Sequence, residues 1–559
     1  MIQSVDHVAL LPAYLAAATA VAVFVLDLFL APGTAVRRGV LLGVAAVGVL
    51  CAGVAAVEVG LGSRRETFCA GAGPLPGGVD VGRSCSYVAD RPGAVVAVLF
   101  CVLTLGVLAL SVPALRDGTE PSSGGELSGG AGLSGGAGRL AGNAGAGGRG
   151  LPAGEYTFLL LCSLTGGVVL GYSRDLITLL IALETLTLPL YVLVGLRRGV
   201  VASVSGAINF FVISVVSTAV TLMGAALLYA LTGAVHLDRL ASALAARGEL
   251  RGIPLTAAAV VLVLVGLAFK VAAVPFHAWA PGTYDGAPLP IAGYLSTASK
   301  LGGLVAILYV AVGALRSWLD IVGPVLAGLA VLTMTVGNLV ALRQTRLVRL
   351  LAWSSVAQAG YILAPLGAFA LATGRGDGAV RTAVAATIGY AVFYVLIELA
   401  AFGSVIGLRG AADGGPIDAY RGAAWRAPWL AGGFALALAG LAGLPPGLAG
   451  LFAKVTVVRA LLATHAGWLA VIVALNAVVG LAYYVRVGSL LFRPAEEPAG
   501  SPTAEPSAAD PNGGPAVSGP PRAWPVLAAV AVLTLAALVA GFAPQLVLDA
   551  ASAASLFIR

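Results

Sequence analysis

Charge is what this 559-residue chain has least of: Asp, Glu, Lys and Arg make up 10% of it, against 59% hydrophobic residues. A soluble domain carries about 25% charge, so the deficit excludes a water-soluble fold and points to a chain that crosses a bilayer many times. Histidine (four) and cysteine (five) are also scarce, and no CxxC or Cys/His spacing gathers them. That excludes a metal or iron–sulfur centre built on a local motif. No Gly-rich nucleotide loop follows a strand, which excludes a soluble redox enzyme. The formal net charge is +7, but the arginines are scattered over loops with no basic–aromatic stripe, so no nucleic-acid partner is expected.

Lysine is scarcer still. Lys270, Lys300 and Lys454 are the only three, each inside or against an apolar stretch, while every other Lys/Arg position is arginine. A lysine at the centre of a bilayer helix costs ~2.5–3.5 kcal/mol on insertion scales, so three of them require a reason. Arginine would carry the same charge but cannot lose its proton in a protein, whereas a buried lysine can. The placement therefore predicts side chains kept for reversible proton work.

What the chain has in abundance is apolar runs long enough to span ~30 Å. They fall at about 8–30, 36–60, 93–115, 156–173, 175–195, 202–231, 255–279, 288–313, 319–342, 350–371, 380–408, 428–462, 466–492 and 524–546. The fold class that follows is an all-α polytopic membrane protein of about 14 transmembrane helices. The first run lacks a preceding basic region and reads as a retained span, not a secretory signal. Placing the N-terminus outside puts Arg37/Arg38, Arg197/Arg198, Arg343/Arg346/Arg349, Arg421/Arg426 and Arg486/Arg493 in the cytoplasm and leaves Arg64, Arg65, Arg83, Arg91 and Arg251 outside, the majority arrangement for basic residues. Both termini and the Cys69/Cys85 loop would then be external. Those two cysteines are either a disulfide or two free thiols. Two low-complexity segments interrupt the pattern: 116–152, Gly-rich, with Leu-Ser-Gly-Gly-Ala-Gly twice in succession, and 494–523, rich in Pro, Ala, Glu and Ser. Neither buries enough apolar surface to offset chain entropy, so both read as cytoplasmic linkers.

Inside the spans, Leu183-Glu184-Thr185-Leu186-Thr187-Leu188-Pro189 sets a carboxylate in an apolar helix. Alone it could be a packing residue; beside membrane lysines a charge pair is the better reading. In Phe269-Lys270-Val271-Ala272-Ala273-Val274-Pro275-Phe276-His277, Pro275 has no amide hydrogen and must kink or break the helix. His277 is either an interfacial residue beside Trp279 or a point of proton uptake. Gly443-Leu444-Pro445-Pro446-Gly447 precedes Lys454 in a second long run, with the order of charge and break reversed. Two Pro-interrupted helices of opposite sense suggest inverted repeats around a midplane ion pathway. Lys300, closing Ser296-Thr297-Ala298-Ser299-Lys300, lies too far inside its helix to snorkel. Glu398 is a further membrane carboxylate, and Asp27 reads as interfacial.

Four segments together resemble the large antiporter-like subunits of proton-pumping NADH:quinone oxidoreductase, respiratory complex I, with the bacterial N-type subunit the nearest pattern. They are Leu183–Leu196, Phe269–Lys300, Gly337–Leu363 and Gly443–Lys454, within about residues 175–492; Asp27-Leu28-Phe29-Leu30 is a weaker echo. The resemblance implies two inverted five-helix repeats with broken helices. It divides the chain into N-terminal helices (1–115), the first linker (116–152), a first antiporter-like half (153–315), a second (316–493), the second linker (494–523) and a C-terminal helix (524–559). It implies a catalytic proton relay in which Glu184 partners Lys270, Lys300 connects, and Lys454 ends the path, with Glu398 and His277 as weaker members. It also implies that FMN, iron–sulfur clusters and quinone belong to partner subunits and that this chain holds no cofactor or metal. Its partners would be protons, the lipid bilayer and the other membrane-arm subunits, in a bacterial plasma membrane. Asn209 stands where the family usually has a lysine, Gln358 where many members have histidine, and Glu398 where many have asparagine. The competing expectations are a subunit of a multisubunit Na+/H+ antiporter or membrane-bound hydrogenase, and a non-pumping structural subunit.

Overall fold

In hydrocarbon a backbone must satisfy its own hydrogen bonds, and so each apolar run closes into helix. The computed structural model of the chain describes residues 5–31, 34–115, 151–197, 199–410, 413–494 and 524–555. The two expected linkers lie outside the described residues, save for positions at their edges.

The chain opens with α1 (Leu11–Phe29) and α2 (Ala35–Leu61), then two short antiparallel pairs, β1 (Arg65–Ala70) with β4 (Ser84–Ala89) and, nested between them, β2 (Gly73–Leu75) with β3 (Val79–Val81). These strands add a small hairpin to a protein that is otherwise helical, as expected. A short polar loop with a Pro76-Gly77-Gly78 turn gives no apolar periodicity to read, yet both glycines take the positive φ that lets the chain reverse. Cys69 and Cys85 face each other across the ladder and are joined as a disulfide, which settles the alternative left open by the sequence. Next come α3 (Arg91–Ser111), α4 (Ala153–Tyr172), α5 (Leu176–Val194), α6 (Val201–Thr232), the short α7 (Leu237–Ala246), α8 (Pro254–Lys270) and α9 (Trp279–Gly286). A single buried span follows, made of α10 (Leu289–Tyr294), a π-turn, α11 (Lys300–Leu308) and a second π-turn. The remainder is α12 (Leu319–Ala341), α13 (Leu347–Leu363), α14 (Asp377–Arg409), α15 (Ala423–Arg426), α16 (Pro428–Ala442), α17 (Leu448–Ala463), α18 (Gly467–Phe492), α19 (Trp524–Phe542) and α20 (Pro544–Ser555).

Among the described residues, twelve helices are long and apolar enough to cross a membrane. The two remaining apolar runs of the sequence, at about 255–279 and 428–462, are the interrupted ones, and their first segments, α8 and α16, are shorter apolar helices. Successive spans run antiparallel, so the surface ion pairs sort onto two rims. One rim holds Asp27 with Arg37 (2.6 Å) and Arg346 with both Asp285 (3.0 Å) and Asp413 (2.9 Å). There burial works against the Arg346 charge, but its two carboxylate partners outweigh it and push the guanidinium pKa up. The opposite rim holds Asp90 with Arg174 (2.7 Å), Arg251 with Asp320 (2.8 Å) and the disulfide hairpin, which Arg239 of α7 ties down through the carbonyls of Ala70, Gly71 and Gly82.

The Leu289–Ala314 span is wholly buried at the centre of the bundle. It comes close to α8 because residue 303 is glycine: a Cβ there would lie 2.8 Å from the Cβ of Lys270. In the second half, Gly450 of α17 lies so close to α16 that a Cβ would sit 1.7 Å from the Gly440 carbonyl oxygen.

Candidate functional site

The first interruption puts a lysine at a helix end. α8 stops at Lys270, Ala272 takes φ 57°, and the Val274–Pro275 bond is cis before α9 resumes at Trp279. The backbone of the break finds local partners: the Val274 amide donates to Thr333 Oγ1 (2.9 Å), and the Trp279 indole donates to the Phe269 carbonyl (3.4 Å). Lys270 Nζ turns into the bundle and donates to Glu184 Oε1 of α5 at 2.8 Å, with Thr187 and Ser214 hydroxyls each at 3.2 Å. Glu184 also accepts from Thr218 Oγ1 (2.5 Å), and Ser214 accepts from Tyr191 (2.5 Å). The lysine is 4% exposed and the glutamate 24%, so the carboxylate is the partner with room to move.

The second interruption is different in kind. α16 ends at Ala442, Gly443 takes φ 81°, and Leu444-Pro445-Pro446-Gly447 leads into α17. The break leaves the Leu441 and Ala442 carbonyls without helical donors, and Lys454 Nζ reaches back from α17 to both, at 2.9 and 2.5 Å. No carboxylate pairs with Lys454 among the described residues. The negative end of a helix dipole, worth about half a charge, faces the ammonium instead.

Lys300 lies between these centres, 3% exposed, held by the backbone carbonyl and hydroxyl of Ser355. Two hydrogen-bonded groups, one on Lys300 and one on Lys454, meet at the consecutive residues Ser355 and Ser354. Ser355 shares a hydrogen bond with the Tyr394 hydroxyl (2.8 Å); its neighbour Ser354 shares one with Tyr484 (2.5 Å). Gln358 donates to Tyr484 (3.1 Å) and to the Leu441 carbonyl (3.1 Å), the same oxygen that receives Lys454. Tyr390 closes the network by donating to Gln358 Oε1 (2.6 Å). Among the described residues no comparable chain joins Lys270 to Lys300; a small void beside Lys300 is lined by Val271, Thr297 and Tyr394 among others.

The site residues named from sequence thus fall into separate groups. Glu184 and Lys270 touch; Lys300 and Lys454 are each hydrogen-bonded into groups that contain Gln358, which the sequence reading named, and Ser354, Ser355, Tyr394 and Tyr484, to which it gave no role. Glu398 of α14 is fully buried, and neither of its oxygens has a hydrogen-bond partner. His277 lies apart from these hydrogen bonds: its ring packs against Trp353 (5.1 Å) and its Nδ1 is buried without a partner. Its expected companion Trp279 instead stacks on Phe210 at 4.4 Å, because α9 packs its indole against α6. Asn209, half-buried on α6, bonds neither Glu184 nor Lys270. Asp27 is the rim residue expected. The missed tyrosines were partly legible: Tyr390 and Tyr394 recur at four-residue spacing with Glu398, which was named, and share one face of α14 with it. A metal is offered only Glu66, Cys69 and Cys85 as clustered donors among the described residues, and the two sulfurs are already bonded to each other.

Residues 173–480 match the family model described as NADH:quinone oxidoreductase/Mrp antiporter, TM. The chain is 57% identical to NADH-quinone oxidoreductase subunit N of Salinispora tropica over 99% of both chains. In structure it is similar to a chain of respiratory complex I from Thermus thermophilus with bound aureothin, at TM-score 0.68 and 27% identity, covering 96% of this chain and 98% of that one. It also shares a fold with a chain of the Mrp complex from Dietzia sp., at TM-score 0.72 and 21% identity, over 98% and 97% of the two chains.

Proposed function

Because the chain belongs to the NADH:quinone oxidoreductase/Mrp antiporter family, and within it to the subunit N branch, we propose that its buried groups carry protons for the complex. It is an antiporter-like membrane subunit of the proton-pumping NADH-quinone oxidoreductase. Its partners are the other membrane subunits of that assembly, in a bacterial plasma membrane. The redox centres belong to other subunits of the complex, and quinone reduction there supplies the driving force.

One observation carries the reading: a lysine at the end of an interrupted helix, 2.8 Å from a membrane carboxylate on a neighbouring helix. Unit charges 4 Å apart attract by about 4 kcal/mol at an effective dielectric near 20, and by about half that at twice the separation. Drawing Glu184 away from Lys270 therefore removes roughly 2 kcal/mol of what holds the ammonium charged, enough for more than a tenfold change in proton occupancy. The proton released passes toward Lys300, then along the Ser355–Ser354–Tyr484–Gln358 side chains to Lys454 and out. Return of Glu184 re-forms the pair and reloads Lys270. The test is Lys270→Arg in the assembled complex, reconstituted in vesicles. It keeps the charge and loses the titration, so NADH-driven proton uptake should collapse; wild-type pumping would overturn the reading.

A second reading, a subunit that completes the membrane assembly without pumping, is favoured by Asn209 and Gln358, neither of which can hold an extra proton. It requires that a Lys270→Ala, Lys454→Ala double variant leave the proton-to-electron ratio of the complex unchanged.

A further inference from the structure

Glu398 stands out chemically. Among the described residues it is the only carboxylate whose two oxygens are both buried and both without a hydrogen-bond partner. A bare carboxylate in such a place costs several kcal/mol unless something supplies a proton or a donor. Packing alone does not account for it, since a leucine would fill the same space without that penalty.

The surroundings indicate what is supplied. Four groups face Glu398 electrostatically: Lys300 of α11, Tyr284 of α9, Tyr394 of its own helix one turn earlier, and Tyr484 of α18. Lys300 is the only cation among them. Its Nζ lies 5.9 Å from the centre of the Tyr394 ring, and it makes no hydrogen bond to the carboxyl. Tyr284 repeats the anomaly: its hydroxyl is fully buried and also without a partner. Two residues on different helices therefore present three unsatisfied oxygens beside one buried lysine. A buried water needs two to four polar partners, and this group provides them.

We infer that Glu398 is the proton-exchange partner of Lys300, joined to it by water held between its carboxyl and the Tyr284 hydroxyl. The inference rests on the relay reading above and gives the connecting lysine its own acid. In the step, a Lys300 N–H bond breaks as its proton goes to the water, and the water gives a proton to a Glu398 oxygen. Ammonium plus carboxylate become amine plus carboxylic acid, with no net charge moved out of the pair and no redox change. Lys300 can thus discharge while Lys454 is still occupied. Lys270 has Glu184 for that purpose; Lys300 has Glu398.

The test is infrared difference spectroscopy of the purified, lipid-reconstituted complex on NADH addition, in H2O and D2O, with proton uptake measured on the same vesicles. The wild type should show a protonated-carboxyl band that shifts in D2O. Glu398→Gln should lose that band and slow proton translocation by roughly tenfold or more, and Glu398→Asp should restore part of both. Tyr284→Phe, which leaves the acid in place, should move the band by removing its water anchor. An unchanged band in Glu398→Gln, full pumping by that variant, or an unmoved band in Tyr284→Phe would each overturn the inference. Those outcomes leave the Glu184–Lys270 reading standing if Lys270→Arg still abolishes pumping. Conversely, normal pumping by Lys270→Arg defeats that earlier reading whatever the carboxyl band does.

Discussion

The two interrupted helices use the same device in opposite senses and surround it with different chemistry. In the first, lysine ends the half-helix before the break and meets a full carboxylate on another helix. In the second, lysine follows the break and meets only the carbonyl ends of α16 and, through one of them, a neutral amide. A carboxylate on a separate helix can be moved by whatever moves that helix, so the charge state of Lys270 is open to outside control. The carbonyls that hold Lys454 belong to the same interrupted span and are fixed by it. In the proposed relay, this difference makes the first centre the one that switches and the second the one that receives.

The comparison breaks most visibly if its carboxylate is dispensable. Glu184→Gln leaves Lys270 buried with neutral partners, and removing one member of a buried pair costs about 3–5 kcal/mol. Loss of both pumping and assembly yield is expected, read by vesicle proton uptake and by the subunit content of the purified complex. Glu184→Gln combined with Lys270→Met should recover assembly but not pumping. Recovery of pumping in the double variant would show that the first centre does not switch.

Gln358 tests the other side. It donates to the oxygen that holds Lys454 and accepts from Tyr390, so it is a fixed joint with no charge to change. Gln358→His places a titratable ring in that joint. Pumping should then acquire an extra pH inflection in the region of the ordinary histidine pKa, about 6.5, absent from the parent protein. Below it the imidazolium sits beside the Lys454 site and opposes loading, so translocation should fall as the pH drops through that range. A profile identical to the parent's would mean that Gln358 lies off the path.

Much of this contrast was readable in the chain before its fold. The spans follow from apolar run length, and both interruptions follow from Pro275 and from Pro445-Pro446, because a missing amide hydrogen acts locally. A charge pair for Glu184 was accessible for a similar reason, since opposite charges in hydrocarbon have few other partners, but that the partner is Lys270 came only from the family resemblance. Three things were not readable. The β-hairpin depends on pairing between short polar stretches, which carry no helical period. The Ser354, Ser355, Tyr484 and Gln358 chain joins α13 to α18, and neutral hydroxyls in an apolar run do not announce a partner as a charge does. The ring neighbours of His277 were the third, because adjacency to Trp279 in sequence says nothing once the break turns the two rings to different partners.

The smallest expected effect concerns Gly443, the hinge of the second centre. It takes φ 81°, and a Cβ there would come within 2.9 Å of Lys454 Cδ. Gly443→Ala is therefore expected to cost roughly 1–2 kcal/mol in backbone strain and to push the lysine stem away from the Leu441 and Ala442 carbonyls. The far end of a lysine side chain can yield, so assembly should survive while proton release slows only a few-fold. Electron transfer measured in detergent, where no proton gradient opposes it, should stay closer to the parent value than pumping does. The corresponding change in the first half, Ala272→Gly, relaxes a residue already at φ 57° and should leave pumping intact. If the two substitutions have equal effects, the second lysine is not held by the geometry of its own break, and the contrast between a movable and a fixed counter-charge fails at that centre.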